Sequence, residues 1–161
     1  MITLHPLDRD NADQVANIRL RPDQLKFAGT VAEALAEPAD RFDLHQINAH
    51  GRAIGLFKID RAYGTDYPFA SKKDLGLRAV ILDHRVQGKG YGTTAMQALR
   101  TYLPGLYPRA KTLYLTVNLA NPAAIAVYRK AGFVDTGDIW PHGDAGQQHI
   151  LSLALRAQAR C

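Results

Sequence analysis

The stretch LGLRAVILDHRV (residues 75–86), followed by QGKGYG (residues 87–92), decides the fold of this chain. The first part is an apolar run that predicts a buried strand, and the alternate glycines of the second part predict a tight turn. Residues 93–103 carry apolar side chains at helical spacing, and Pro104 with Gly105 is predicted to end that helix. A strand, a glycine turn and a helix in succession place backbone N–H groups at a helix N-terminus, which favours binding of a phosphate.

The segments on both sides alternate between strands and helices. Period-two apolar patterns predict further strands at residues 2–7, 42–47, 53–59, 112–119, 133–140 and 148–155. Capping signals predict helices at residues 8–20 and 30–37 and a helix from Asn121-Pro122 to Gly132, and residues 62–74 are predicted to be a loop. This order predicts one mixed α/β domain over residues 1–161.

Composition excludes several classes of protein. The chain has 161 residues, of which 47% are hydrophobic and 22% charged, with a mean hydropathy of -0.21, as in an ordinary globular domain. Cys161 is the only cysteine, so there is no disulfide framework. The apolar stretches fall far short of the roughly 18 residues that indicate a membrane span. The first ten residues lack the features of a signal peptide, so we expect a cytoplasmic protein with no membrane partner.

The positive charge is confined to one part of the sequence. The formal net charge is +5, but residues 84–134 contain seven basic residues and no acidic one, which leaves a net -2 elsewhere. This segment includes the glycine turn, so it favours a bound anion over a generally basic surface. The six histidines lack metal-ligand spacing, so no metal site is expected.

Two nucleotide-binding motifs are excluded at the turn. The P-loop pattern GxxxxGK[ST] is absent. The dinucleotide fingerprint needs a third glycine where Thr93 stands, and an acidic residue about 20 positions later. No carboxylate follows until Asp135.

The combined motifs resemble those of the GCN5-related N-acetyltransferase (GNAT) family. Gln87-x-x-Gly90-x-Gly92 after an apolar strand resembles its acetyl-CoA-binding motif. The later stretch NPAAIAVYRKAGF (residues 121–133) resembles its second signature. The early LKFAGTVAEALAE is most similar to the polyamine acetyltransferase branch. The resemblance implies a mostly antiparallel central sheet with helices on both faces, and a homodimer.

The resemblance also implies the site. Tyr128 would be the catalytic acid that protonates the CoA thiolate, and Asn121 would hydrogen-bond the pantetheine arm while capping its helix. The pantetheine would run along the strand end formed by Val80, Ile81 and Leu82. The pyrophosphate would bind the N–H groups of the turn, namely Gln87, Gly88, Lys89, Gly90, Tyr91, Gly92 and Thr93. Acetyl-CoA is thus the expected cosubstrate.

The acceptor is expected to be a small primary amine, polyamine-like or amino-acid-like. The carboxylates of Glu33, Glu37, Asp40 and Asp43 lie where the family binds the acceptor, and they would suit a cationic amine if they are not simply a solvated surface. Some family members carry a glutamate on the central strand, where this chain has Gly76. Asp83 and His84 are predicted to lie at an exposed strand end, where such residues usually belong to the polar surface, so no general base is assigned.

Two other functions compete with an enzyme. The same fold without turnover would be an acyl-CoA-binding sensor. The basic segment would also suit nucleic acid, but its tyrosines are not arranged as a stacking platform and no nucleic-acid motif is present. We therefore expect no nucleic-acid partner.

Overall fold

The computed structural model of the chain describes residues 1–155, so Cys161 lies outside the described residues. Within this range there are seven strands and four α-helices. The strands are β1 Ile2–Pro6, β2 Phe42–Ala49, β3 Arg52–Asp60, β4 Leu75–Leu82, β5 Thr112–Asn118, β6 Val134–Trp140 and β7 Gln148–Ala154. The helices are α1 Leu25–Ala28, α2 Val31–Leu35, α3 Tyr91–Leu106 and α4 Pro122–Lys130. None of the helices in residues 1–155 is long and apolar enough to cross a membrane.

The strands are ordered β1-β2-β3-β4-β5-β7-β6 in one sheet. β1 with β2, β2 with β3, β5 with β7 and β6 with β7 pair antiparallel. β4 pairs with β5 in parallel, with Leu75 opposite Leu113 and Gly76 opposite Tyr114. The predicted fold class, α/β with a mixed and mostly antiparallel sheet, is confirmed.

The chain folds into two compact units. The first consists of Met1–Arg61 and Leu77–Ala95, so it contains β1, β2, β3, α1, α2 and most of β4. Its core is an aliphatic cluster that includes Leu7, Val15, Ile18, Leu44, Leu56 and Ile81. The described part of the second covers residues 62–76 and 96–155, and its buried side chains include Met96, Leu99, Leu103, Leu113, Leu115 and Leu151.

The β2–β3 hairpin forms as the sequence predicts. His50 and Gly51 have φ of 52° and 76°, and two successive left-handed residues are what a tight two-residue hairpin turn requires. The strands extend beyond the predicted bounds, to Ala49 and from Arg52.

Three predicted element bounds were wrong for local reasons. The helix expected over residues 8–20 is only a 3-10 segment, Arg9–Val15, interrupted by the non-helical backbone of Asn11. α3 continues through Pro104 to Leu106, because a proline in the last turn removes a single helical hydrogen bond. Strand β4 ends at Leu82 because the Asp83 carboxylate accepts from Arg85 N at 3.1 Å and starts a 3-10 turn.

Candidate active site

The glycine turn between β4 and α3 lies in the first unit and leaves its backbone donors free. Gly88 and Gly90 have φ of 80° and 82°, in the left-handed region that residues with a Cβ rarely adopt. The hydrogen-bonded ladder of α3 begins with Thr94 N, which donates to Gly90 O at 3.1 Å. Within residues 1–155, no backbone N–H from Gln87 to Thr93 donates to a backbone carbonyl. These donors lie at the positive end of a 16-residue helix, where they are suited to an anion.

The side chain of Gln87 holds the turn in place. Its amide nitrogen donates to Leu82 O at 2.8 Å and to Gln24 Oε1 at 3.0 Å. Its oxygen accepts from Gln24 Nε2 at 3.0 Å and from Arg21 Nη1 at 3.2 Å. The Gln87 side chain therefore ties the turn to the segment before α1, and only the backbone of this residue is left for a ligand.

The end of β4 has an irregular backbone. Ala79 has a φ of 52°, which is uncommon for alanine and turns a strand as a β-bulge does. Of the three residues that follow, Ile81 is buried, whereas Val80 and Leu82 are half-buried. β3 approaches this end closely, since a Cβ on Gly55 would lie 2.4 Å from Ile81 O. Glycine at 55 is therefore needed for this approach.

Of the two basic residues Arg85 and Lys89, only Lys89 is available to a ligand. The exposed Lys89 side chain forms no hydrogen bond or ion pair with residues 1–155. Arg85, in contrast, pairs with Asp83 at 2.6 Å. Asp83 was expected at an exposed strand end, but only 5% of it is exposed. The hydrogen bonds from Arg85 lower the pKa of the Asp83 carboxyl, which makes this group a poor proton acceptor.

Asn121 and Tyr128 lie in the second unit, at the start and near the end of α4. Asn121 Oδ1 accepts from Ala124 N at 3.4 Å, which confirms its predicted capping role. Tyr128 is half-buried and packs edge-on against Phe133, with ring centroids 5.5 Å apart. Its hydroxyl forms no hydrogen bond with residues 1–155.

Burial reinforces the protonated state of Tyr128. It raises the pKa of the phenol above its ordinary value of 10, because the phenolate loses hydration. The hydroxyl is therefore protonated throughout the neutral range and is able to donate a proton. Burial also makes that donation harder unless the acceptor is a desolvated anion, whose own pKa is raised for the same reason.

Gly76 shows why this chain carries no glutamate at that position of β4. A Cβ on Gly76 would lie 1.9 Å from Tyr63 Cδ1, well inside the contact distance. Tyr63 is 1% exposed and stacks on Tyr67 at 4.1 Å between ring centroids. The tyrosine ring occupies the space that a side chain at 76 would need.

The carboxylates expected to receive a cationic acceptor are mostly engaged within the first unit. Glu33 Oε1 accepts from Thr30 N at 2.8 Å and completes the capping box of α2. Glu37 forms an ion pair with Lys58, and Asp43 forms one with Arg61 at 3.2 Å. Only the exposed Asp40 has no such role. No group of three or more potential metal ligands occurs in residues 1–155.

Comparison with known proteins places the chain among N-acetyltransferases. The uncharacterized N-acetyltransferase YbbJ of Bacillus subtilis (strain 168) is 28% identical over 150 residues, which cover 88% of this chain and 90% of the relative.

Solved structures share the fold at low sequence identity. An aminoglycoside acetyltransferase, AAC(6')-Ib, in complex with coenzyme A is 19% identical with a TM-score of 0.77, covering 96% of this chain and 95% of that one. The spermidine N-acetyltransferase of Vibrio cholerae, in complex with CoA and spermine, is 18% identical with a TM-score of 0.70, covering 96% and 95%.

The sequence profile of the acetyltransferase (GNAT) family matches residues 9–133. This match confirms the resemblance of the two motifs and the expectation of an acyltransferase enzyme. Because the match spans well over half of its length, the chain belongs to the acetyltransferase (GNAT) family.

Proposed function

We propose that this enzyme transfers an acetyl group from acetyl-CoA directly to a primary amine of a small molecule. The observation that carries the proposal is the glycine turn, whose backbone N–H groups from Gln87 to Thr93 have no backbone acceptor within residues 1–155. An anionic group with several oxygens satisfies such donors, and the pyrophosphate of CoA is such a group.

The residues of the turn fit this ligand. A Cβ at Gly88 or Gly90 would meet nothing within 4 Å, so the surface over both glycines is open. Lys89 adds a cation with no protein partner in residues 1–155, and the segment from residue 84 to 134 has no carboxylate that would repel a phosphate. The turn residues Gln87, Gly88, Lys89, Gly90, Tyr91, Gly92 and Thr93 are proposed to hold the pyrophosphate.

The family resemblance suggests two contacts for the pantetheine arm. One is the end of β4, where backbone groups of Val80, Ile81 and Leu82 would pair with it as a neighbouring strand does. A backbone N–H near Leu82 would polarise the acetyl carbonyl, in the manner of an oxyanion hole. The other is Asn121, whose side chain retains its amide N–H donors beside the capping bond.

Tyr128 is proposed as the proton donor to the leaving sulfur. The neutral amine nitrogen forms a bond to the acetyl carbon, the C–S bond breaks, and the sulfur takes its electron pair together with the Tyr128 proton. The proton that the amine nitrogen loses passes to solvent, from which the Tyr128 phenolate is reprotonated. A thiol has a reference pKa of about 8.5 and a phenol one of about 10, so this transfer is nearly balanced. Burial raises the pKa of the phenol and would also raise that of a thiolate formed in a desolvated place.

A cytoplasmic homodimer is also proposed on the family resemblance. Val134 and Ile139 support a partner on β6, because 64% and 42% of these apolar residues are exposed. β6 is the last strand in the order of the sheet. Unpaired strand edges with exposed apolar side chains are sites where a second chain can pack.

Acetyl-CoA is expected to stabilise the folded protein, which a thermal unfolding experiment measures. A ligand at 100 times its Kd adds about 2.7 kcal/mol to the free energy of unfolding. For a protein of this size that raises Tm by about 5–10 °C. ATP at the same concentration is the control for a generic polyanion. An unchanged Tm with acetyl-CoA, or an equal shift with ATP, would contradict the proposed CoA site.

A further inference from the structure

A cavity of about 400 Å³ in the first unit is lined largely by hydrocarbon and is partly open to solvent. Its size is within the range of roughly 300–1,000 Å³ that small-molecule sites occupy. Most of the wall consists of aliphatic side chains, namely Ile18, Leu20, Leu25, Val31, Leu35 and Ile81.

The packing of the first unit keeps this wall in place without a ligand. Ile18 and Ile81 are 3% and 1% exposed and belong to the buried core. Leu20, Val31 and Leu35 pack against the same core. Leu25 remains 40% exposed, so the wall is open to solvent on its side.

The side chains of the wall carry no negative charge that would pair with a cationic ligand. Thr30 is engaged, since its hydroxyl oxygen accepts from Glu33 N at 3.1 Å. Arg19 is a cation, and its Nη1 donates to Ala16 O at 2.6 Å and to Ile18 O at 3.0 Å. No carboxylate lines the cavity.

The acidic residues near the cavity do not add a negative charge to its wall. Glu33, Glu37 and Asp43 are each engaged within the first unit by a cap or an ion pair. Asp40 is exposed and has no partner in residues 1–155, but neither it nor the other three lines the cavity. Without such a partner, a charged group among aliphatic side chains loses its hydration with no compensation.

We propose that this cavity takes the body of the acceptor, and that the acceptor is an amine attached to a compact hydrocarbon or aromatic group with no second cationic nitrogen. The inference rests on the proposed function, because Ile81 belongs both to the cavity wall and to the strand end assigned to the pantetheine arm. The apolar body fills the cavity and the single amine is left to react.

A matched pair of amines tests the proposal. n-Hexylamine and 1,6-diaminohexane have the same carbon chain and differ in one terminal ammonium group. Acetyl-CoA-dependent release of free thiol gives kcat/KM for each. We expect n-hexylamine to be preferred by about 100-fold, because the second ammonium has no partner in the wall. Spermidine is expected to be as poor an acceptor as the diamine.

A pair of variants tests whether the acceptor binds in this cavity. Ala32→Phe puts a ring on an exposed wall residue of α2, and it should raise KM for n-hexylamine about tenfold. Ala36→Phe makes the same change one turn later, at an exposed residue outside the wall, and should leave KM unchanged. Both variants should keep the Tm shift with acetyl-CoA, which shows that they fold and bind.

The outcomes separate this inference from the proposed function. Equal or better use of 1,6-diaminohexane or spermidine would overturn the inference while acetyl transfer stands. The inference would also be overturned if Ala32→Phe and Ala36→Phe behaved alike, or if no amine were used although acetyl-CoA shifts Tm. If acetyl-CoA neither shifts Tm nor yields thiol with any amine, the proposed function itself fails.

Discussion

Replacing Tyr128 with phenylalanine is expected to lower kcat for amine acetylation by about 10²–10⁴-fold, the usual contribution of a positioned acid. This substitution removes the hydroxyl group and keeps the aromatic ring. The packing against Phe133 at 5.5 Å is kept, and the hydroxyl has no hydrogen bond within residues 1–155 to lose. Acetyl-CoA should therefore give the same Tm shift with the variant as with the wild type. Steady-state kinetics by thiol release provide the measurement.

The pH dependence adds a second readout for the same residue. Burial raises the pKa of Tyr128, so its proton-donor form persists as pH rises and is lost only above pH 10. Ionisation of this phenol should thus cause no fall in the wild-type kcat between pH 7 and pH 9.

Tyr102→Phe is the matched control for Tyr128→Phe. Burial raises the pKa of Tyr102 to about 12, and no catalytic role is assigned to it. The control should retain the wild-type kcat. An unchanged kcat in Tyr128→Phe, or an equal loss in both variants, would remove Tyr128 from the role of acid.

Replacing Gly90 with alanine is expected to weaken acetyl-CoA binding by about 5- to 30-fold. The φ of Gly90 is 82°, and a left-handed conformation costs an L-residue about 1–2 kcal/mol. The free variant relaxes from this conformation, so binding has to restore it, and each 1.4 kcal/mol changes Kd about tenfold. A direct clash is not the cause, since a Cβ at 90 meets nothing within 4 Å. Isothermal titration with acetyl-CoA measures the change.

Gly51→Ala is the matched control for Gly90→Ala. Gly51 has a φ of 76° and open space around its Cβ position, but it lies in the β2–β3 turn. Its replacement should cost a similar free energy of unfolding and leave the Kd for acetyl-CoA unchanged. If the two variants alter Kd equally, or if Gly90→Ala leaves Kd unchanged, the turn does not hold the cosubstrate.

Local signals in the sequence predicted much of the fold. Thr30 with Glu33 forms the predicted capping box, and Asn121 with Pro122 begins α4 as expected. The turn at His50 and Gly51 joins β2 to β3. Each of these features depends on residues within a few positions of one another, so the pattern alone is sufficient to identify it.

The features that sequence analysis missed depend on residues far apart in the chain. The amide pair of Gln24 and Gln87 joins residues 63 positions apart, and the ring of Tyr63 fills the space beside Gly76. Ala79 has a left-handed φ, although alanine carries no turn preference that would predict it. The cavity wall combines residues from the N-terminal segments with Ile81, so no short motif reveals it.

The acidic residues show most clearly how the structure changes an interpretation. In the sequence, Glu33, Glu37 and Asp43 suggested attraction for a cationic acceptor. In the structure these carboxylates interact with Thr30, Lys58 and Arg61, so they have structural roles. Charge counted along a sequence does not distinguish a carboxylate that is available to a ligand from one that is already paired.

Amine-dependent formation of CoA tests the central claim most directly. The protein is incubated with acetyl-CoA and n-hexylamine, free thiol is followed over time, and the amine is analysed by mass spectrometry. Direct transfer predicts one acetylated amine for each thiol released, with thiol release dependent on the amine. Thiol release that is independent of the amine, or acetyl-CoA binding without an acetylated product from any amine, would contradict the account.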